Sequence, residues 1–247
     1  MGCAPRSYDR GWGWLRGGNG STWRVGWRIS VGMMNRFREL FPRVVQFGPP
    51  RTGSTLVWNA MRVMLPGRRI PKRHDLNVLL RRGCFGSRIV CTIRNPLDAI
   101  ASSIRRYKLE PSPGVIESQI REFQRNGMDE MPDLVRRRNV LILKYEEFYR
   151  DFDRLFDPLE DFFGTSADAP LRERFKVEFD VRRIKQASEQ LGEFGNFSSE
   201  ILIHGGHVSE RLGEPGGHDG YFDAQSERRI RDAFAWHFET FAYGRGS

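Results

Sequence analysis

The chain has 247 residues, 39% of them hydrophobic and 29% charged, enough for one α/β domain with a sizeable core or at most two small ones, and unlike a disordered or fibrous sequence. Lys and Arg number 40 against 31 Asp and Glu, a net charge of +9. That surplus suits an anionic ligand (nucleic acid, acidic glycan, membrane surface or polyphosphorylated nucleotide) without choosing among them.

Cys3, Cys84 and Cys91 form no C-x-x-C pattern, which disfavours a disulfide framework or a zinc site and fits a reducing cytoplasm. No apolar run approaches the roughly 18 residues that span a bilayer. The stretch GWGWLRGGNGSTWRVGWRIS is broken throughout by Gly and Arg, so it offers no signal-peptide core, and its Trp spacing makes no clean face for lipid. Gly2 resembles a myristoylation start, but Arg6 stands where Ser or Thr is wanted. Residues 1–36 are expected to be a poorly ordered extension, with Met33 or Met34 an equally good start, and residues 37–247 to form the folded domain.

In chain order, RVVQFG (43–48) is a β-branched run ending in glycine, a buried strand. GPPRTGST follows, and STLVWNAMRVML has helical character with Ser54 as N-cap. A short strand is expected around Arg69 to Lys72, and SRIVCTIRNP (87–96) is the clearest strand. PLDAIASSIRRYKL starts a helix at proline. PSPGVIESQIREFQRNGMDEMPDLVRRR gives a helix, a turn and a charged lead-in to the strand VLILKYEEF (140–148). An amphipathic helix covers DRLFDPLEDFFG, and the chain to residue 200 is mostly helical. Residues 203–220 form an ordered glycine-rich loop, and SERRIRDAFAWHFETFAYG closes the chain as a helix. Strands alternating with helices indicate a three-layer α/β fold, a mostly parallel sheet of the P-loop type, with no internal repeat and no second domain.

The loop after the first strand matches the phosphate-binding template G-x-x-x-x-G-K-[ST] at Gly48, Gly53 and Thr55, but Ser54 replaces the lysine. Backbone amides of Gly53, Ser54 and Thr55 at a helix start still make an anion site, and Arg51 within the loop supplies positive charge. A P-loop NTPase ends its metal-binding strand in Asp. Here IVCTIR ends in Arg94, which grips a phosphate by paired hydrogen bonds and repels a cation. Ser102, about two helical turns further on, reaches the same anion. Such a site takes a nucleotide with several phosphates and needs no magnesium.

These segments resemble sulfotransferases that use 3′-phosphoadenosine 5′-phosphosulfate (PAPS). PPRTGST is similar to the family's 5′-phosphosulfate loop P-[KR]-[ST]-G-[ST]-T, and IRNPLDAIASS to its 3′-phosphate segment R-[ND]-P-x-D-x-x-x-S at Arg94, Asn95, Pro96, Asp98 and Ser102. LILKYEEF resembles L-x-Y-E-[DE]-[LF], and HVSERLGEPGGHDGYF the C-terminal loop H-[IV]-S-x-x-x-G that folds over the nucleotide. The resemblance spans residues 43–243 in the expected order. It implies that Arg51, Thr52, Gly53, Ser54 and Thr55 hold the 5′-phosphosulfate, with Arg51 stabilising charge as the sulfuryl group departs. Arg94 and Ser102 would hold the 3′-phosphate.

His74, in IPKRHDL, stands where many cytosolic members carry K-x-H with the histidine as general base; Asp75 is its rival, since other branches use a carboxylate. Leu56 departs from the family's adenine-stacking aromatic, leaving Trp58 or a Phe for that task. His207 and Ser209 either touch the nucleotide or only shape their loop, and VRRIK (Val181–Lys185) reads as a solvated helix face rather than a second phosphate clamp. Two alternatives remain open: a kinase with a degenerate loop, in which Glu146 mimics a metal-holding acid, and a non-catalytic nucleotide- or nucleic-acid-binding protein. The arginines are scattered without a basic helix interleaved with aromatics, which disfavours nucleic acid. The sequence does not choose among sugar, lipid, phenolic, small-alcohol or peptide acceptors, and says nothing of oligomeric state.

Overall fold

A computed structural model describes residues 44–76, 86–193, 195–206, 208 and 211–244. The expected extension over 1–36, Cys3, Cys84, His207 and Ser209 lie outside the described residues.

Four parallel strands make the central sheet: β1 (Val44–Phe47), β2 (Lys72–Arg73), β3 (Arg88–Ile93) and β4 (Val140–Lys144), in the order β2-β1-β3-β4. Both faces are covered, which is why β1, β3 and β4 read as largely apolar runs. Val45, Phe47, Ile89, Cys91 and Ile93 face one layer, built from α2 (Pro96–Arg106), α3 (Pro113–Arg125), α9 (Ala224–Ala233) and α10 (Ala235–Thr240). Val44, Val90 and Leu143 face the other, where α1 (Ser54–Met64) and α6 (Asp153–Phe163) contribute Val57, Met61, Leu155 and Phe156. The three-layer α/β fold expected from the sequence is present. α4 (Met131–Val135) adds Met131 and Leu134 to the first layer and α5 (Tyr145–Phe148) adds Tyr145 and Phe148 to the second; α7 (Ala169–Glu178), α8 (Val181–Gln190) and the antiparallel pair β5 (Phe197–Ser198) and β6 (Ile203–His204) follow. Among the described residues no helix is long and apolar enough to cross a membrane.

From β1 the chain goes to β2 on one side, then returns across β1 to β3 on the other. The direction of winding therefore reverses between β1 and β3, and the crevice beyond their carboxyl ends is where such sheets bind ligands. The glycine loop leaves β1 there, and Arg94 leaves β3 beside it.

Four local features differ from the sequence expectations. Gly53, not Ser54, caps α1: it takes φ 77°, the left-handed region, and Ser54 is the first helical residue. Regular pairing of β2 begins at Lys72, because Pro71 gives its carbonyl to Gln46 N–H (3.0 Å) but has no N–H to return. β4 stops at Lys144, opposite the end of β3 at Ile93, and the chain turns at once into α5. The closing helix breaks at Phe234 (φ −121°, ψ 28°), whose ring packs edge-on against Phe123 at 6.3 Å.

α2 is held firmly at its start. The Asn95 side chain accepts from Leu97 N–H at 3.0 Å, Pro96 occupies the first turn, and Arg105 and Arg106 sit in the last turn, where the helix dipole favours cations.

Candidate functional site: a cationic crevice at the sheet edge

The glycine loop approaches other atoms too closely for larger residues. A Cβ at Gly48 would stand 2.0 Å from Thr92 Oγ1, and one at Gly53 2.6 Å from the Tyr145 ring. Arg51 also has positive φ, 67°, an uncommon state for a residue with a side chain and one that clusters at functional sites. Thr52 turns inward. Its hydroxyl donates to Pro49 O at 2.8 Å and meets Thr92 Oγ1 at 2.8 Å, so of the expected ligand-holding hydroxyls this one instead braces the loop. No side chain caps α1 and no acidic residue lies in its first turn, which leaves the first-turn amides and the positive end of the dipole for an anion.

Cations surround that helix start. Arg51 Nε donates to Ser102 Oγ at 3.0 Å, so the serine expected to work with Arg94 meets the loop arginine. Lys72 Nζ donates to Thr55 Oγ1 at 2.7 Å; it thus delivers from the neighbouring strand the lysine charge that the loop lacks. Arg94 is buried, with Nη1 on Arg51 O (3.3 Å) and Nη2 on Gly213 O (3.0 Å) and Glu214 O (3.2 Å). Its guanidinium lies 4.3 Å from the Tyr145 ring centre, and its Nε has no hydrogen-bond partner. Burial, then the charges of Arg106 and Arg94, lower the Arg51 pKa to about 9. Burial, then Arg106 and Arg51, lower that of Lys72 to about 8. Cations packed so as to depress one another, with an orphaned guanidinium nitrogen among them, fit a ligand carrying several negative charges.

His74 follows β2 and touches the loop from the same side. Its Nδ1 lies 2.7 Å from Gly48 O; a carbonyl only accepts, so Nδ1 carries the proton and Nε2 keeps its lone pair. Crowding by protein atoms, then the Lys72 charge, lowers its pKa to about 4, although one side of the residue stays open to water. The ring is neutral near pH 7, as a proton acceptor must be.

The C-terminal loop folds onto the crevice. Tyr145 and Tyr149 donate their hydroxyls to Gly213 O (2.9 Å) and Leu212 O (2.8 Å). Asp98, on the first turn of α2, accepts from Gly216 N–H (2.8 Å), His218 N–H (3.0 Å) and His218 Nδ1–H (2.8 Å). Burial pushes the Asp98 carboxyl up, but the His218 bond, the Arg94 charge and the Gly216 amide together hold it below the usual carboxylate range.

Between this loop and α8 lies a cavity of about 550 Å³, reached by Arg51, Gly53, Thr55 and Arg94 on one wall and lined by Leu56, Tyr149, Phe179, Ile184, Ile203 and Leu212. A phosphate-binding wall beside an apolar, partly aromatic one suits a nucleotide. Trp58 is turned away, donating Nε1–H to Ile70 O at 2.8 Å; the aromatic residues lining the cavity are Tyr145, Tyr149, Phe152 and Phe179. Val181, Arg182 and Ile184 of VRRIK also line the cavity, so that segment is not merely a solvated face. Lys72, Tyr145 and the anchoring role of Asp98 were missed in the sequence. Lys72 had a signal in the K-x-H spacing; the other two depend on chain segments that meet only in the fold.

No protein-family model and no curated protein sequence matches the chain. Solved structures do. Mouse sulfotransferase SULT7A1 complexed with PAP shares 16% identity over 83% of this chain and 85% of that one, with a TM-score of 0.54. Retinol dehydratase in a complex with retinol and PAP shares 17% over 80% and 82%, with a TM-score of 0.55. Retinol dehydratase in complex with androsterone and inactive cofactor PAP shares 16% over 80% and 81%, with a TM-score of 0.54. At such identities the likeness is one of fold: this chain has the α/β fold of the PAP-bound sulfotransferases.

Proposed function

We propose that the chain is a sulfotransferase that moves the sulfuryl group of PAPS to a hydroxyl or amine acceptor by in-line transfer with a general base. The observation that carries this reading is the convergence of Arg51, Lys72 and Arg94 on the uncapped start of α1, where a triphosphate site would present one loop lysine and an acidic metal ligand. The bound donor supplies the sulfuryl group and a phosphate that leaves with its negative charge. Thr55, Ser54 and the amides of the first turn hold the 5′ end. Arg51 and Lys72 receive the charge that builds on the leaving oxygen. Arg94, with Ser102 nearby, holds the 3′-phosphate, and the apolar wall takes the adenosine. His74 Nε2 accepts the acceptor's proton, while Nδ1–H on Gly48 O keeps the ring aimed.

Complexes of the structural neighbours with retinol and androsterone make a small hydroxylated molecule the acceptor class to test first. A cytoplasmic location, on the cysteine usage, is part of the same proposal. The kinase alternative is weaker because both carboxylate oxygens of Glu146 are engaged, by Asn95 N–H at 2.8 Å and Tyr243 OH at 3.0 Å.

Two variants test the roles. Arg94→Ala should weaken 3′,5′-adenosine bisphosphate binding by roughly 10- to 100-fold in calorimetry. His74→Ala should lower sulfate transfer by roughly 10²- to 10⁴-fold and leave nucleotide affinity within a few-fold. If both variants change only nucleotide affinity, His74 is not the base. A wild-type protein that binds ATP as well as the bisphosphate would remove the sulfotransferase reading.

A further inference from the structure

The carbonyl of Arg94 and the amide of Asn95 are the two ends of one peptide unit, and a buried histidine and a half-buried glutamate grip them. His237 Nε2 lies 3.3 Å from Arg94 O; because a carbonyl only accepts, Nε2 carries the proton. Glu146 Oε1 accepts from Asn95 N–H at 2.8 Å. Tyr243 joins the two grips. Its hydroxyl donates to Glu146 Oε2 at 3.0 Å, and its ring lies parallel to that of His237, 7° apart in plane with centres 5.7 Å apart. His237 and Tyr243 are almost wholly buried, at 2% and 6% exposure, and neither they nor Glu146 line the cavity.

Arg94 stands where β3 turns into α2, and Asn95 changes conformation there (φ −48°, ψ 121°). A tilt of the 94–95 peptide plane swings the whole Arg94 side chain, whose two Nη atoms serve three carbonyls and whose Nε remains for a ligand. Displacements of about 1 Å at such a group are enough to cost large factors in function. We infer that Glu146, Tyr243 and His237 form a brace that fixes the 94–95 peptide and so positions Arg94 for the 3′-phosphate. This rests on the nucleotide reading above. The three are positioning residues, acting through the backbone of Arg94 and not by touching the ligand.

The test compares two probes on the full chain, 3′,5′-adenosine bisphosphate and 5′-AMP, by calorimetry, with melting temperature recorded alongside. Tyr243→Phe keeps the ring and its stacking and loses only the hydroxyl; His237→Phe keeps a ring and loses the donor. Each should weaken the bisphosphate about tenfold and leave 5′-AMP within about twofold, narrowing the preference for the 3′-phosphate. Glu146→Gln, whose amide oxygen still accepts from Asn95, should keep most of it. A preference undiminished in both Phe variants overturns the brace, whatever happens to the melting temperature; should His237→Phe fail to fold, Tyr243→Phe decides alone. A wild type without the preference overturns the nucleotide reading, and the brace with it.

Discussion

Lys72 reaches the glycine loop from the neighbouring strand, with Nζ on Thr55 Oγ1 at 2.7 Å, and its charge is the most easily lost in the site. With its pKa lowered to about 8 and that of Arg51 to about 9, a bound anion favours the charged form of each and raises both values. Nucleotide affinity should therefore be level between about pH 6.5 and 7.5, where the phosphates are fully charged, weaken as pH passes 8, and weaken further beyond 9. Lys72→Gln should cost roughly tenfold at pH 7 and move the onset of weakening from about 8 to about 9; wild-type affinity that stays level to pH 9.5 would contradict this assignment. Arg51 and Arg94 were legible in the sequence because their types are wrong for a triphosphate loop yet right for an anion, and Thr55 because it matches the template. Thr52 was not, since a hydroxyl in a glycine loop looks the same whether it faces a ligand or, as here, Pro49 and Thr92.

Among the elements, β1, β3, β4 and the helices that follow β1 and β3 were legible because burial on both faces writes a largely apolar run and a glycine or a proline marks the β1–α1 and β3–α2 junctions. Strand ends were not, because they depend on a partner: β4 ends where β3 does, and β2 starts where Pro71 stops interrupting the ladder. The C-terminal loop was recognisable by glycines, yet its anchor is a helix residue 118 and 120 positions away in sequence, Asp98. Replacing that carboxylate tests whether α2 holds the loop down. Asp98→Asn retains one acceptor oxygen but presents an amide to groups that donate, Gly216 N–H and His218. Hydrogen exchange at residues 213–220 should accelerate by roughly tenfold or more, with α2 itself still protected, because hydrogen bonds to a charged group contribute about 1.5–3 kcal/mol. Unchanged exchange in the loop would show that Tyr145, Tyr149 and Arg94 suffice to hold it.

For the molecule as a whole, the two cores share one sheet and meet at the crevice, and the C-terminal helices close one of them with His237 inside. Burial, opposed by the bond to Arg94 O and helped by the Lys144 charge, lowers the His237 pKa to about 4 from an ordinary 6.5. Above pH 6.5 folded and unfolded chains both hold the ring neutral, so it adds no pH dependence there. Between 6.5 and 4 only the unfolded chain takes the proton, so stability falls as pH falls, and below 4 the loss is complete. The difference is on the order of 3 kcal/mol for a ring this buried. His74 adds in the same direction from a more open position. Acid also raises the charge of a chain already at +9, a repulsion that salt screens. Melting temperatures measured from pH 7.5 to 4.5 in 0.5 M salt (about 4 Å of screening length) should therefore still decline, and His237→Phe should remove most of that decline while lowering the value at pH 7.5 only modestly. If the variant declines as steeply as the parent, the ring is not what resists the proton, and the acid sensitivity belongs to the carboxylates around α6 and α7.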